Sequence, residues 1–358
     1  MNVLVLNGGK FASIDGAVVR FKNLVVKNTG FHVTWAEPVV ARKRYKTEDL
    51  DPHVPKNVTL LPGKRCHPDP LSEWWARENH FLEAAKGADA DVCVIYNAWG
   101  TRRAQRYLKN KGVPVVFDCI DFMHAFRRNP LERAVSRQAT LDALRNADAV
   151  VTTAHRLQED ALQFNPNSHL VPNGVDVEFF SDAPAKKLKG PSVGFVGGFG
   201  DWLDFKKLET AIQDADIRFY FIGDGPAKSD LPAQPNVWVS DGFLPQAEAR
   251  RYVKGVDVCV IPFKRNALTD AVCPLKLFEY WAASKPVIVS PTYELKRIIR
   301  DEAVFADTQG QWKDAITSLC HDRHARSRLG AKGFIRAKHY SWKNLSRRFV
   351  SILEDVTR

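Results

Sequence analysis

The chain has 358 residues, which corresponds to two domains at ~150 residues per domain. Hydrophobic residues make up 45% and charged residues 26%, with 21 Gly and 20 Pro, so the composition excludes a disordered chain, a collagen and a disulfide-held miniprotein. Lys and Arg together number 52 against 41 Asp and Glu, and the net charge of +11 predicts an anionic partner: nucleic acid, anionic lipid or a phosphorylated substrate.

Short runs rich in β-branched residues alternate with longer amphipathic stretches along the whole chain. Runs such as VLVL, VCVI and PVIVS are apolar on both faces, as strands are when helices cover both sides of a parallel sheet. The predicted strands are 2–6, 33–36, 58–61, 92–96, 115–117 and 149–152, followed by 192–196, 218–222, 237–239, 256–261, 287–290 and 303–306. This alternation predicts an α/β fold with doubly wound sheets.

The strand pattern occurs twice, before and after a segment at 170–192 that is rich in Pro, Gly and Lys. Because this segment contains the turn signal Pro172-Asn173-Gly174, we place the domain boundary there, between an N-terminal domain of 1–170 and a C-terminal domain of 171–340. Ligands bind outside the carboxyl ends of the strands in such sheets, so we expect the site in a central cleft that two Rossmann-like domains face.

The first predicted strand continues into Asn7-Gly8-Gly9-Lys10 and then into a predicted helix. Glycines between a strand and a helix let backbone N–H groups approach an anion, although the spacing is not GxGxxG and does not predict a dinucleotide site. Gly8 and Gly9 therefore have two interpretations, a phosphate or sugar contact and a plain tight turn.

Two further glycine loops follow predicted strands in the second half of the chain, in VGFVGGFGDW and in FYFIGDGP. Gly198 lies in the first loop, and Gly223 with Asp224 lies in the second. Loops of this kind bind phosphate through backbone N–H groups, so we include these three residues in a predicted binding site for a phosphorylated ligand. Glycines that only make turns are the alternative.

The segment 274–282 predicts a helix that starts at Pro274 and ends before a Lys-Pro pair. An ammonium at a helix N-terminus, here that of Lys276, is unfavourable unless an anion binds to it. Glu279, three residues later, lies on the same face and is placed to accept hydrogen bonds from ribose hydroxyls. Together with Arg265 at the preceding strand exit, this pattern predicts a bound nucleoside diphosphate, and a solvated ion pair is the alternative.

Five motifs, VPNGVDVEFF, FVGGFGDW, FIGDGP, PLKLFEYWAASKPVIVS and YSWKNLSRRF, resemble those of the nucleotide-sugar-dependent glycosyltransferases of the GT-B fold. The similarity is to the group 1 type of C-terminal domain, in bacterial enzymes of exopolysaccharide and glycolipid assembly. It implies two Rossmann-like domains, with the donor bound mainly by the C-terminal one and the acceptor by the N-terminal one. It also implies a final helix, within 341–358, that crosses back to the N-terminal domain.

Two positions depart from the pattern of that family. Many retaining members carry two glutamates separated by seven residues; Glu279 matches the second, and Ala271 stands where the first would be. Ser284 stands where the usual glycine of the following turn would be. The variant Pro-x-Lys-x-x-Glu also resembles enzymes that invert, so retention and inversion both stay open.

An inverting transfer needs a general base that takes a proton from the acceptor hydroxyl. Asp118 and Asp121 follow the predicted strand 115–117 in the acceptor domain, and Asp121 is the preferred base. His124 and Asp15 are the alternatives for this role, and an aspartate that caps a helix is the plain interpretation.

The sequence implies no metal and no other cofactor. The DxD strings at 89–91 and 214–216 precede predicted strands, on the side away from the expected site. Lys276, Arg265 and a helix N-terminus can carry the charge of the leaving diphosphate instead of Mg²⁺. The six cysteines form no CxxC pair and lie partly in apolar strand runs, which favours buried free thiols over zinc ligands or disulfides.

Neither a signal peptide nor an apolar stretch of the ~18 to 20 residues that span a membrane is evident, so we expect a cytoplasmic protein. Basic clusters in the N-terminal domain include Arg42, Lys43 and Arg44, and the same domain carries Trp74 and Trp75. Each cation near an anionic leaflet contributes about 1 kcal/mol, so these residues predict peripheral binding to the inner face of the cell membrane or to the acceptor. A solvated surface is the alternative.

These patterns predict an enzyme that transfers a sugar from a nucleoside diphosphate sugar, a UDP-sugar in preference to a GDP-sugar, to a glycan or lipid-linked acceptor at the cytoplasmic membrane face. A nicotinamide- or flavin-dependent oxidoreductase is the first alternative, which the missing GxGxxG disfavours. A nucleic-acid-binding module is the second, which the nearly equal share of basic charge in the two halves disfavours.

Overall fold

The computed structural model describes residues 1–7, 10–11, 16–38, 54–63, 70–126 and 129–358. They form two compact units: the N-terminal unit, Met1–Pro172 with Trp342–Arg358, and the C-terminal unit, Asn173–Ser341. Each unit is built on one parallel sheet, so the α/β, doubly wound class predicted from the strand runs is confirmed. In these described ranges, no helix is both long enough and apolar enough to cross a membrane.

In the described part of the N-terminal unit, the sheet has seven strands. In chain order they are β1 (Asn2–Leu6), β2 (His32–Ala36), β3 (Val58–Leu61), β4 (Val92–Ile95), β5 (Val115–Cys119), β6 (Ala149–Thr152) and β7 (Ser168–Leu170). Their spatial order is β3-β2-β1-β4-β5-β6-β7, and all neighbouring pairs are parallel. The order reverses between β1 and β4, and ligands bind such sheets at the carboxyl ends of the strands at this point.

The sheet of the C-terminal unit has six strands. They are β8 (Ser192–Val196), β9 (Arg218–Ile222), β10 (Val237–Val239), β11 (Val258–Ile261), β12 (Val287–Val289) and β13 (Val304–Phe305). Their spatial order is β10-β9-β8-β11-β12-β13, again with parallel neighbours throughout. Here the order reverses between β8 and β11, so this sheet has its own candidate crevice.

The α-helices are α1 (Gly16–Phe21), α2 (Pro70–Gly87), α3 (Arg102–Asn110), α4 (Pro130–Asn146), α5 (His155–Leu162), α6 (Val177–Ser181), α7 (Glu209–Ile212), α8 (Gln246–Gly255), α9 (Ala267–Asp270), α10 (Leu275–Ala282), α11 (Tyr293–Ile298), α12 (Gln309–His321), α13 (Arg323–His339) and α14 (Trp342–Thr357). Short 3₁₀ turns lie at Met123–Phe126, Phe205–Leu208 and Pro226–Asp230.

The helix α14 follows the C-terminal unit in the chain but packs in the N-terminal unit. It lies against a π-helical turn, Lys22–Lys27, that continues α1. The hydroxyl of Ser346 donates a 2.7 Å hydrogen bond to the carbonyl of Leu24, and Phe349 and Leu353 of the same helix are fully buried. The apolar face of α14 therefore completes the core of the N-terminal unit.

Of the strands that the described residues form, β7 is the one that the sequence did not predict. Its three residues include Ser168 and His169, so the apolar run that marks the other strands is absent. The strand forms because its backbone pairs with that of β6, where Val150 lies opposite Ser168 and Val151 lies opposite His169. Backbone pairing with β6 thus produces a strand here although the side chains lack the apolar pattern that is typical of a buried strand.

The turn after α10 holds Ser284 at φ +59°, a left-handed conformation that costs a residue with a Cβ about 1–2 kcal/mol. The helix α13 crosses this turn closely, since a Cβ on Gly330 would lie 2.2 Å from the carbonyl oxygen of Ser284. A Cβ on Gly333 would similarly lie 2.4 Å from the ring of Trp281. The packing of α13 on α10 thus holds the turn in a conformation that suits glycine better than serine.

We expect Ser284→Gly to raise the free energy of unfolding by roughly 0.5–1 kcal/mol, because glycine adopts this φ without a steric penalty. Urea denaturation followed by circular dichroism measures the change. Ser284→Ala is the matched control, since it removes the hydroxyl and keeps the Cβ that causes the penalty. An equal gain in Ser284→Ala would contradict this explanation.

Candidate functional site

The reversal between β8 and β11 locates a candidate site within the C-terminal unit. Three loops leave the carboxyl edge of the sheet there: 197–200 after β8, 223–225 after β9 and 262–265 after β11. The first turn of α10 lies beside the first of these loops, since the Lys276 side chain reaches Gly197. The predicted residues Gly198, Gly223, Asp224, Arg265, Lys276 and Glu279 all belong to these loops or to α10.

The two glycine loops pack backbone against backbone. The amide of Gly197 donates to the carbonyl of Ile222 at 2.7 Å, and the amide of Phe199 donates to the carbonyl of Asp224 at 2.8 Å. A Cβ on Gly223, whose φ is +150°, would lie 1.9 Å from the carbonyl oxygen of Gly197. Glycine is therefore required at position 223 for this close approach. A Cβ on Gly198 would have open space around it, so its backbone is accessible to a ligand.

The ammonium of Lys276 lies against the backbone of Gly197. A Cβ on Gly197, whose φ is +143°, would lie 1.8 Å from the Lys276 Nζ, so the lysine occupies the space that the glycine leaves. The Nζ also lies 5.6 Å from the ring centroid of Phe195. Burial lowers the pKa of Lys276, and the Glu279 carboxylate partly offsets this shift. Among the described residues, none forms a hydrogen bond or an ion pair with this ammonium, which suits it to bind an anion.

Glu279 lies one turn further along α10 and is half-buried. Burial raises the pKa of Glu279, and the Lys276 ammonium partly offsets the shift. The Lys276 ammonium can bind the anionic part of a ligand, next to the accessible loop backbone. The neighbouring Glu279 carboxylate can then accept hydrogen bonds from hydroxyl groups of the same ligand. The arrangement thus suits a ligand that carries both phosphate and vicinal hydroxyls.

Arg265 has a carboxylate partner that the sequence did not indicate. Its guanidinium donates to Asp307 at 2.6 Å, and Lys207 contacts the same carboxylate at 3.2 Å. Burial alone would raise the pKa of Asp307, but the hydrogen bonds and charges of these two cations together outweigh it and lower the pKa. The Arg265 guanidinium is therefore already paired with a carboxylate. To bind a ligand anion, it either gives up its contact with Asp307 or keeps that contact and binds both groups.

Asn173 is a site residue that sequence reasoning missed. Its buried side chain donates a 2.8 Å hydrogen bond to the carbonyl of Cys273, immediately before Pro274 at the start of α10. This bond fixes the chain that enters the helix and so helps to position Lys276. The partners are 100 residues apart in the chain, and no local pattern could have indicated the contact.

In the N-terminal unit, Asp118 is buried inside the sheet instead of at the exit of a strand. The strand β5 continues through Asp118 to Cys119, because Arg20 from α1 neutralises the carboxylate. The Arg20 Nε and Nη2 donate to the two oxygens at 2.9 and 3.0 Å, and both side chains have 0% exposure. Burial raises the pKa of Asp118 and Arg20 opposes the shift. The prediction of Asp118 as a catalytic base is corrected, since no acceptor hydroxyl reaches this carboxylate; it fits a structural role.

Asp121 and His124 follow β5 and are half-buried, so both remain candidates for the base. The backbone carbonyl of Asp121 accepts from the amide of Met123 at 2.8 Å. Burial lowers the pKa of His124, and the nearby cations Arg137 and Arg133 lower it further. A neutral imidazole at pH 7 retains a nitrogen that can accept a proton, as a base requires.

The reversal point of the N-terminal sheet contains residues that sequence reasoning did not single out. Asn7 follows β1 with φ +61°, and its side chain donates to the carbonyls of Asn97 at 2.8 Å and Trp99 at 3.2 Å after β4. Its amide oxygen accepts from Arg77 at 3.2 Å. Asparagine tolerates a left-handed backbone, and this was the available signal in the motif Asn7-Gly8-Gly9.

Trp75 is exposed on α2, with 55% of its surface accessible. The Arg103 guanidinium of α3 lies 5.2 Å from its ring centroid, and the half-buried Trp74 lies beside it at 6.2 Å between ring centroids.

Several predicted residues lie outside the described residues: Gly8, Gly9, Asp15, Arg42, Lys43 and Arg44.

Two family models match the chain. The model described as "Glycosyl transferase 4-like domain" matches residues 28–174, and the model described as "Glycosyl transferases group 1" matches residues 190–322. The second match contains the three loops and α10 of the candidate site, from Gly197 to Glu279.

A glycosyltransferase (TuaH) assigned to teichuronic acid biosynthesis in Bacillus subtilis (strain 168) is 32% identical over 197 residues, which is 49% of this chain and 49% of that protein. The chain spans about half the length of the curated relatives that it matches.

Solved structures with the same fold include sucrose-phosphate synthase from Thermosynechococcus elongatus, with a TM-score of 0.75 and 15% identity over 99% of this chain and 98% of that one. Anabaena HepE, solved in complex with UDP and glucose, has a TM-score of 0.72 and 12% identity over 99% of each chain. At these identities, the likeness concerns the fold.

We expect Asp118→Asn to lower the free energy of unfolding by about 3–5 kcal/mol, because it leaves the buried Arg20 without its partner charge. Urea denaturation followed by circular dichroism measures the loss. Asp121→Asn is the control and should change the stability by less than about 1 kcal/mol, since Asp121 is half-buried. An Asp118→Asn variant with the stability of the parent chain would show that the pair is not structural.

Proposed function

Because the chain belongs to the glycosyltransferases of the GT-B fold, we propose that it transfers a sugar from a UDP-sugar to a glycan or lipid-linked acceptor at the cytoplasmic face of a membrane. The observation that carries the proposal is the half-buried Lys276 ammonium against the accessible loop of Gly197 and Gly198, with Glu279 one turn away. This is the chemistry that a nucleoside diphosphate requires.

In the proposed complex, the Lys276 ammonium binds the diphosphate, and loop amides near Gly198 donate to its oxygens. Glu279 accepts hydrogen bonds from the ribose hydroxyls. When the bond between the sugar and the diphosphate breaks, negative charge grows on the leaving diphosphate. The ammonium and the N-terminal end of α10 stabilise that charge more strongly than in water, because the site is partly buried.

The choice of UDP is supported by Anabaena HepE, a protein of the same fold whose solved structure contains UDP and glucose. The glycan acceptor is supported by the Bacillus subtilis relative of teichuronic acid biosynthesis. For the proton of the acceptor hydroxyl we propose Asp121 as the base, with the neutral imidazole of His124 as the alternative.

Binding to a membrane face is supported by the surface around Trp75. The exposed cations Arg102, Arg106 and Lys109 lie on α3, which packs against α2, and Arg103 lies over the Trp75 ring. An exposed aromatic ring beside several cations can enter the headgroup region of an anionic leaflet while the cations contact the headgroups.

Ligand binding tests the donor site directly. UDP at 100 times its dissociation constant should stabilise the protein by about 2.7 kcal/mol, measured as a rise in Tm. We expect Lys276→Gln to weaken UDP binding by roughly ten- to a hundred-fold, since a charge-assisted hydrogen bond contributes about 1.5–3 kcal/mol. Lys296→Gln, at an exposed lysine of α11, is the control and should bind UDP like the parent chain. If UDP, GDP, ADP, CMP and dTDP all leave Tm unchanged, the proposed donor site is wrong.

Vesicle sedimentation tests the membrane proposal. The chain should bind vesicles that contain phosphatidylglycerol, and binding should fall as the salt concentration rises, because salt screens the cations. Trp75→Ala should reduce the bound fraction by roughly three-fold or more, since the ring no longer enters the headgroup region. Trp238→Ala is the control, because Trp238 is also exposed, at 41%, but lies in the C-terminal unit. Equal binding to neutral vesicles, or equal effects of the two variants, would refute the proposal.

A further inference from the structure

The side-chain hydroxyl of Tyr280 occupies a hydrogen-bonding position that a neighbouring strand normally fills. It accepts from the amide of Val196 at 2.9 Å and lies 3.4 Å from the carbonyl oxygen of the same residue, to which it donates. Tyr280 has 0% exposure and comes from α10, while Val196 is the last residue of β8. A helix side chain thus satisfies both backbone groups at the end of a strand.

The partner strand β11 does not reach Val196. The register between β8 and β11 pairs Val193 with Val258 and Gly194 with Cys259, and the pairing stops there. On the other side, β8 stays paired with β9 as far as Val196 opposite Ile222. The two central strands of the sheet therefore separate two residues before β8 ends.

A proline explains why the two strands separate. Continuation of the register would place Val196 opposite Ile261, and the Val196 carbonyl would then accept from the amide of residue 262. That residue is Pro262, which has no amide hydrogen to donate. The Tyr280 hydroxyl supplies the missing donor to Val196.

The same helix face carries the cation of the proposed diphosphate site. Lys276 and Tyr280 are four residues apart, one turn of α10, so both side chains point towards the end of β8. Tyr280 holds Val196, and Lys276 lies against the next residue, Gly197. The hydroxyl therefore holds the residue that directly precedes the loop beside the ammonium.

We infer that Tyr280 is a positioning residue for the diphosphate of the donor. Its hydroxyl keeps the end of β8 apart from β11 and holds the loop of Gly197 and Gly198 open beside Lys276. It acts through the backbone of Val196 and touches no reacting atom. The inference rests on the proposed function, because it names the group that shapes the same site.

The test compares two Tyr→Phe variants in the full chain. Tyr280→Phe removes the two contacts to Val196. Tyr220→Phe is the matched control, because the Tyr220 hydroxyl accepts from the amide of Lys189 and donates to its carbonyl, both at 3.1 Å, at the opposite end of the sheet. The readouts are Kd for UDP by calorimetry, donor KM and kcat, Tm, and amide exchange in peptides that contain Val196.

We expect Tyr280→Phe to raise the Kd for UDP by about ten-fold, to raise donor KM by more than it lowers kcat, and to speed amide exchange at Val196. Tyr220→Phe should lower Tm without changing the Kd. If the parent chain binds UDP and Tyr280→Phe binds it equally well, the inference is wrong while the proposed function stands. If the parent chain binds no nucleoside diphosphate, the proposed function fails, and the inference fails with it.

Pro262→Ala provides a second variant in case Tyr280→Phe does not fold. It restores an amide that can donate to the Val196 carbonyl and extend the pairing of β8 with β11. We expect a higher Kd for UDP with an unchanged or higher Tm, a combination that loss of structure does not produce. An unchanged Kd in a folded Pro262→Ala chain would overturn the inference.

Discussion

The candidate donor site depends on one contact, that of the Lys276 ammonium with the backbone of Gly197. The contact exists only because position 197 has no side chain, and it keeps a cation partly buried at the first turn of α10. Two side chains hold the backbone on either side of this contact: Asn173 bonds to the chain before α10, and Tyr280 bonds to Val196, the residue before Gly197. A cation held in this way binds an anionic ligand without first having to move into place.

The architecture could be predicted from the sequence because strands buried on both faces have an unambiguous apolar signature. Val92–Ile95 and Val258–Ile261 share the run VCVI, and all of these residues are buried. The apolar signature fails to predict a strand boundary where a residue distant in the chain allows a polar residue to stay inside the strand. Asp118 interrupts an apolar run, yet it stays inside β5 because Arg20, 98 residues earlier, neutralises it. A one-dimensional pattern cannot indicate that partner.

The residues of the candidate site also differ in whether their contacts are local in the chain or between distant residues. Lys276 and Glu279 could be predicted because their relation is local, three residues apart on one helix. The partner of Arg265 is Asp307, 42 residues later, and the partner of Tyr280 is Val196, 84 residues earlier. A tyrosine within LFEYWA has the pattern of a core residue, and its ring is indeed buried; only the structure shows that its hydroxyl contacts a strand end.

The placement of α14 has a consequence for how the chain is made. The N-terminal unit consists of two segments, Met1–Pro172 and Trp342–Arg358, and the whole C-terminal unit lies between them in the chain. A ribosome therefore delivers every residue of the C-terminal unit before Ser346, the partner of the Leu24 carbonyl, exists. Domains generally fold as units during synthesis. The half of the molecule that is translated first is thus the half whose core is completed last.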